Sequence, residues 1–180
     1  MAIVPNIITS LRIIGAISLA FMPKFTVWFY TVYLLCGFTD VIDGFIARRF
    51  KCESQLGAKL DSIADLLFYS ITVVRFLPLM LEKLNSYVWI ALLSVVGIRL
   101  ISYAVAAVKY HRFAAIHTYL NKFTGFIVFL LPVLINQTFF SAYCIAGSIV
   151  GGIASAEELL IHITQKSYNP QKKYIFMKTK

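Results

Sequence analysis

Long apolar runs and short polar breaks alternate along the whole chain. The runs fall at about 4–22, 25–47, 58–81, 87–108, 116–135 and 139–161. Each is close to the roughly 20 residues a helix needs to cross a hydrocarbon core. The breaks are Pro23-Lys24, the polar stretch 48–57, Glu82-Lys83-Leu84-Asn85, Lys109-Tyr110-His111-Arg112 and Asn136-Gln137-Thr138. The pattern predicts an all-α integral membrane protein with six transmembrane helices, a membrane domain at 1–161 and a basic tail at 162–180. The first run has no basic n-region and no small-x-small cleavage site, so it is expected to be a retained helix rather than a secretory signal. No internal repeat or Gly/Ser linker interrupts the series.

Composition agrees. Of 180 residues, 59% are hydrophobic and 14% charged, and mean hydropathy is +0.79. Soluble domains carry roughly 45–50% apolar and about 25% charged residues, so a soluble globule and a disordered chain are both excluded. The net charge of +9 does not imply nucleic acid, because the basic residues punctuate apolar runs instead of coating a soluble module. Anionic membrane lipid is the expected partner. Cys36, Cys52 and Cys144 have neither CxxC nor Cys/His spacing, so no disulfide framework or zinc site is expected.

The positions of the cations set an orientation. Arg48, Arg49, Lys51, Lys59, Lys109, Arg112, Lys166, Lys172, Lys173, Lys178 and Lys180 lie on one side, and only Lys24 and Lys83 on the other. The positive-inside rule then puts the N- and C-termini and the 48–57 loop in the cytoplasm. Arg12, Arg75, Arg99 and Lys122 fall within the runs. Arg75 is expected to snorkel outward and is given no chemistry.

Half of the eight acidic residues are Asp40, Asp43, Asp61 and Asp65, all inside apolar runs. Each charge at the bilayer centre costs about 2.5–3.5 kcal/mol on insertion scales, and no lysine or arginine matches them on their own helix faces. Asp40 and Asp43 are i,i+3, and Asp61 and Asp65 are i,i+4, so each pair shares a face. With a turn between Phe50 and Gly57, Asp43 lies roughly 10 Å and Asp61 roughly 6 Å from the helix ends they adjoin. Both pairs are thus expected to meet at one depth near the cytoplasmic surface. Four carboxylates without thiolate or imidazole suit Mg²⁺ or Mn²⁺, and two ions would neutralise them. Helix-packing hydrogen bonds or a proton path are the plainer readings of either pair alone.

Asp40-x2-Asp43-Gly44-x2-Ala47-Arg48-x8-Gly57-x3-Asp61-x3-Asp65 places eight fixed residues in 26 positions. This segment resembles, without departure, the motif of the CDP-alcohol phosphotransferases. Pro5-Asn6-Ile7-Ile8-Thr9-Ser10-Leu11-Arg12 is similar to the Pro-Asn-x-x-Thr-x-x-Arg opening of many bacterial members. The resemblance implies transfer of a phosphoalcohol group from a CDP-linked donor, CDP-diacylglycerol first, to a hydroxyl, with release of CMP. It implies that Asp40, Asp43 and Asp61 hold the metals, and that Asp65 is a ligand and the general base. A purely ligand role for Asp65 stays open. Gly44 would lie beside the cytidine, Arg48 would bind phosphate, and Asn6, Thr9 and Gly57 would contact the donor. The plainer readings are close packing for Gly44, a turn for Gly57, a membrane anchor for Arg48 and an interfacial cap for Asn6 and Thr9. A homodimer and a bacterial cell-membrane location, with the site facing the cytoplasm, are also implied.

Members that use phosphorylated acceptors carry cations in helices four and five, and Arg99 and Lys122 look like candidates for that role. Glycerol 3-phosphate is therefore the first-choice acceptor. Arg99 pairing with an aspartate and Lys122 snorkelling are the alternatives. One departure favours other acceptors: Asp61-Ser62-Ile63-Ala64-Asp65-Leu66 lacks the Pro and Lys usual in glycerophosphate-using members and looks more like serine-using ones. Serine, inositol phosphate or another small alcohol thus stay open. So does a CDP-aminoalcohol donor with diacylglycerol. From other classes, a divalent-cation transporter would explain the acids but leave the glycine–arginine frame a coincidence, and a scaffold would have no need of them.

Overall fold

The computed structural model describes residues 3–49, 55–111 and 118–165; for 3–6, 41–49, 55–59 and 62 it describes the backbone alone. The described residues form six helices and no strand: α1 (Ile3–Phe21), α2 (Val27–Arg49), α3 (Gln55–Lys83), α4 (Ser86–Tyr110), α5 (Tyr119–Leu134) and α6 (Phe140–Thr164). These match the six apolar runs to within about three residues at each end. Segments Ile63–Lys83, Ser86–Tyr110 and Phe140–Thr164 are long and apolar enough to cross a membrane, and Ile7–Phe21 and Tyr119–Leu134 are shorter apolar helices.

Polarity is distributed for an apolar solvent. Phe21, Trp28, Val74, Ile90 and Val108 are exposed, whereas Thr9, Arg12, Ser102, Ser148, Glu158 and His162 are buried. In lipid, apolar side chains gain little by leaving the surface, and polar groups must find partners inside. Pro78 in α3 and Pro132 in α5 are accommodated within their helices, as is common in membrane proteins.

The chain forms two compact units, residues 1–81 and 82–180. In the first, α1 packs on α2 at close range. A Cβ on Gly15 would lie 2.9 Å from Cys36 Sγ, and the Cys36 thiol points at the Arg12 carbonyl, 3.9 Å away. Aromatic rings join α2 to α3: Tyr33 stacks on Phe68 at 5.1 Å, and Phe29 meets Phe76 at 5.7 Å. Arg75 does not simply snorkel. Its guanidinium donates to the carbonyls of Ala20 (2.8 Å) and Met22, where α1 runs out of its own amide donors.

In the second unit α6 packs on α4 and α5 through small residues. A Cβ on Gly147 would meet Ile127 Cγ2 at 2.9 Å, and one on Gly151 would meet Val95 Cγ1 at 3.2 Å. Small residues permit the close backbone approach from which membrane helices gain their packing energy. Thr118 caps α5 by accepting from the Asn121 amide at 3.2 Å. Lys109 Nζ donates to the carbonyls of His162 (2.9 Å) and Ile163 (2.7 Å) near the end of α6, a favourable place for a cation.

Candidate metal centre

The first unit brings Asp40 of α2 together with Asp61 and Asp65 of α3. Each offers a carboxylate oxygen, and the three oxygens lie within 4.8 Å of one another. The one-turn spacing of Asp61 and Asp65 aligns them on α3, and the aromatic contacts of Tyr33 and Phe29 hold α2 alongside. Asp43, Gly44, Arg48, Gly57 and Asn6 were also expected here; their side chains lie outside the described residues. Thr9 is buried on α1, one turn before Arg12.

No lysine or arginine matches the acids on their own helix faces; the cation that meets them is Arg12 of α1. Its Nη1 lies 2.8 Å from Asp40 Oδ1, 3.0 Å from Asp61 Oδ1 and 3.0 Å from Asp65 Oδ1. The cation comes from α1, so matching the faces of α2 and α3 alone could not find it. A signal existed nonetheless: an arginine inside an apolar run needs a partner, and Arg12 closes the Pro-Asn-x-x-Thr-x-x-Arg segment. Arg12 is 1% exposed, while the three carboxylates are 43–45% exposed. The guanidinium is therefore a floor beneath oxygens that remain accessible from the other side.

These residues fit a divalent cation. The donors are all carboxylate oxygens, the set that hard ions such as Mg²⁺ and Mn²⁺ prefer. They already converge on a positively charged nitrogen, so the cluster is shaped around a cation. Among the described residues, three carboxylates face one guanidinium.

Arg99 and Lys122 lie in the second unit. Arg99 Nη1 lies 2.6 Å from Glu158 Oε2, and its Nη2 donates to Asn121 Oδ1 at 2.9 Å. Asn121 Nδ2 donates to the same Glu158 oxygen at 2.9 Å. Arg99 thus pairs with a glutamate rather than an aspartate. Glu158 was missed in the sequence although it shares a helical face with Gly151, Ala154, Ser155 and His162, all buried. That face was the available signal. Lys122 is exposed.

The family model described as CDP-alcohol phosphatidyltransferase matches residues 2–159. Among curated relatives, a CDP-diacylglycerol–glycerol-3-phosphate 3-phosphatidyltransferase of Cereibacter sphaeroides is 40% identical over 77 residues, covering 39% of this chain and 35% of the relative. The enzyme of the same name from Haemophilus influenzae is 28% identical over 106 residues, 53% of this chain and 51% of its own. A CDP-diacylglycerol–inositol 3-phosphatidyltransferase of Candida albicans is 41% identical over 63 residues, 34% of this chain and 27% of its own. The matches to these three relatives span from about a quarter to a half of the relatives' lengths. No solved structure gives a significant match. With the motif, the helical unit that carries it and a family match over most of its length, this chain belongs to the CDP-alcohol phosphatidyltransferase family.

Proposed function

We propose that this protein is a membrane phosphatidyltransferase that moves a phosphatidyl group from CDP-diacylglycerol to the hydroxyl of a small acceptor, glycerol 3-phosphate first, in phospholipid synthesis. All six helices cross the bilayer, the termini and the 48–57 loop are cytoplasmic, and the site opens to that side. Residues 1–161 belong to the catalytic domain, whose α6 runs on to Thr164, and the basic tail follows that helix. The convergence of Asp40, Asp61 and Asp65 oxygens within 4.8 Å carries the reading, and the names of the Cereibacter and Haemophilus relatives support this acceptor.

Asp40, Asp43, Asp61 and Asp65 would hold two Mg²⁺ or Mn²⁺ ions. When bound, such ions neutralise charge on the donor diphosphate and on departing CMP. Asp65 takes the proton of the acceptor hydroxyl as its oxygen bonds to the phosphatidyl phosphorus and the bond to CMP breaks. Asn6, Thr9, Gly44, Arg48 and Gly57 hold the donor. Arg99 and Lys122 bind the acceptor phosphate, with Glu158 sharing the Arg99 charge. The Candida relative and the absence of Pro and Lys around Asp65 keep inositol- and serine-type acceptors as a second reading.

The test is to give the purified protein CDP-diacylglycerol, Mg²⁺ and separate acceptors, and to identify the lipid by mass spectrometry. Phosphatidylglycerol phosphate formed with glycerol 3-phosphate is the expected product. A lipid formed only from serine or inositol phosphate reassigns the acceptor, and product only from a CDP-aminoalcohol and diacylglycerol reassigns the donor. Divalent-ion flux in vesicles without CMP release would replace the enzyme reading with transport.

A further inference from the structure

We propose that the Arg12 guanidinium is a tethered cation holding the aspartate cluster together before a divalent ion binds, and that guanidinium and ion compete for the same three carboxylate oxygens. The proposal rests on the metal-site reading above and assigns a role to a residue outside the ligand set.

Three carboxylates meet at one guanidinium nitrogen. Here one nitrogen, Nη1, lies 2.8–3.0 Å from oxygens of three different aspartates. Nη1 carries two hydrogens, so it cannot donate a separate straight bond to all three. At least one contact is chiefly ionic, as around a metal ion. Without this charge, three carboxylate oxygens within 4.8 Å would repel one another and spread.

Access and anchoring point the same way. The guanidinium is buried and the carboxylates are half-open, so an ion reaches the oxygens without first crossing the arginine. The α1 backbone at Arg12 is held against α2 by the Gly15–Cys36 approach and by the Cys36 thiol at the Arg12 carbonyl. Release of the cluster is therefore a movement of the Arg12 side chain and not of the helix. A cation and a guanidinium that both reach these oxygens repel each other, so each lowers the other's affinity by the same factor.

The test uses Mn²⁺ alone, titrated into the purified full chain in nanodiscs and read by electron paramagnetic resonance, with thermal unfolding in chelator and in Mn²⁺. Arg12→Gln is expected to bind Mn²⁺ about tenfold more tightly, within the usual range of coupling between two sites. It should also unfold at lower temperature in chelator, with the deficit shrinking in Mn²⁺. Arg12→Lys keeps a charge but grips three oxygens less well, so a smaller gain in Mn²⁺ affinity is expected. It keeps the proposal testable where Arg12→Gln does not fold. Unchanged or weaker Mn²⁺ binding in these variants overturns the proposal and makes Arg12 a support for the metal-bound form. Mn²⁺ binding that persists at wild-type affinity in Asp40→Asn and in Asp61→Asn instead overturns the metal site itself, and the proposal with it.

Discussion

Asp65 is one of three carboxylates drawn to a single arginine nitrogen, yet it alone is proposed to move a proton. Asp65→Asn keeps a side-chain oxygen but removes the base. The expected result is loss of turnover, by at least about a hundredfold for a general base, with metal-dependent CDP-lipid binding retained. Joint loss of turnover and binding would make Asp65 a ligand only. Arg99 presents a different balance, because its partner Glu158 is fully buried. Arg99→Ala removes the arginine from that carboxylate, which the Asn121 amide and His162 Nε2, 3.7 Å away, also face, and breaking such a pair costs about 3 kcal/mol. Thermal unfolding should show a lowered midpoint, restored in large part by adding Glu158→Gln. An acceptor KM that stays raised in this double variant is expected if Arg99 touches the acceptor phosphate; a KM that recovers with stability assigns Arg99 to packing.

At the scale of elements, the site depends on how closely α1 approaches α2, because α1 delivers Arg12. Gly15 sets that approach: an added methyl would press on Cys36 Sγ at 2.9 Å. Gly15→Ala is expected to destabilise by about 1–3 kcal/mol, the usual range for overpacking. Cys36→Ala in the same chain should recover most of the loss, as a double-mutant cycle of midpoints would show. Boundaries of all six helices were legible because each apolar run ends in residues that resist burial in hydrocarbon. The pairings between helices were less so. Aspartates on adjoining helices could be brought together from spacing and a short connection, but the partner from α1 could not. Nor could the Glu158 pairing, which joins residues 59 positions apart by the packing of α4 on α6.

For the whole molecule, the expected dependence is on metal and on sidedness. Excess chelator should abolish CMP release and added Mg²⁺ or Mn²⁺ restore it; full rates in chelator would contradict the metal centre. Single cysteines in the 48–57 loop and in the tail, placed in a chain otherwise free of them, should react with impermeant thiol reagents only from the cytoplasmic side. Reaction from outside would reverse the assigned orientation. The sequence by itself determined the helical class, the number and extent of the helices, and the four-aspartate motif. Those follow from local chemistry: apolar length, helical periodicity and residue spacing. Only the tertiary structure decided which cations meet the acids within the helices. Arg12 reaches the aspartates and Arg99 reaches Glu158 because particular helix faces pack together, and in a medium without water a buried charge takes whichever partner that packing brings within reach.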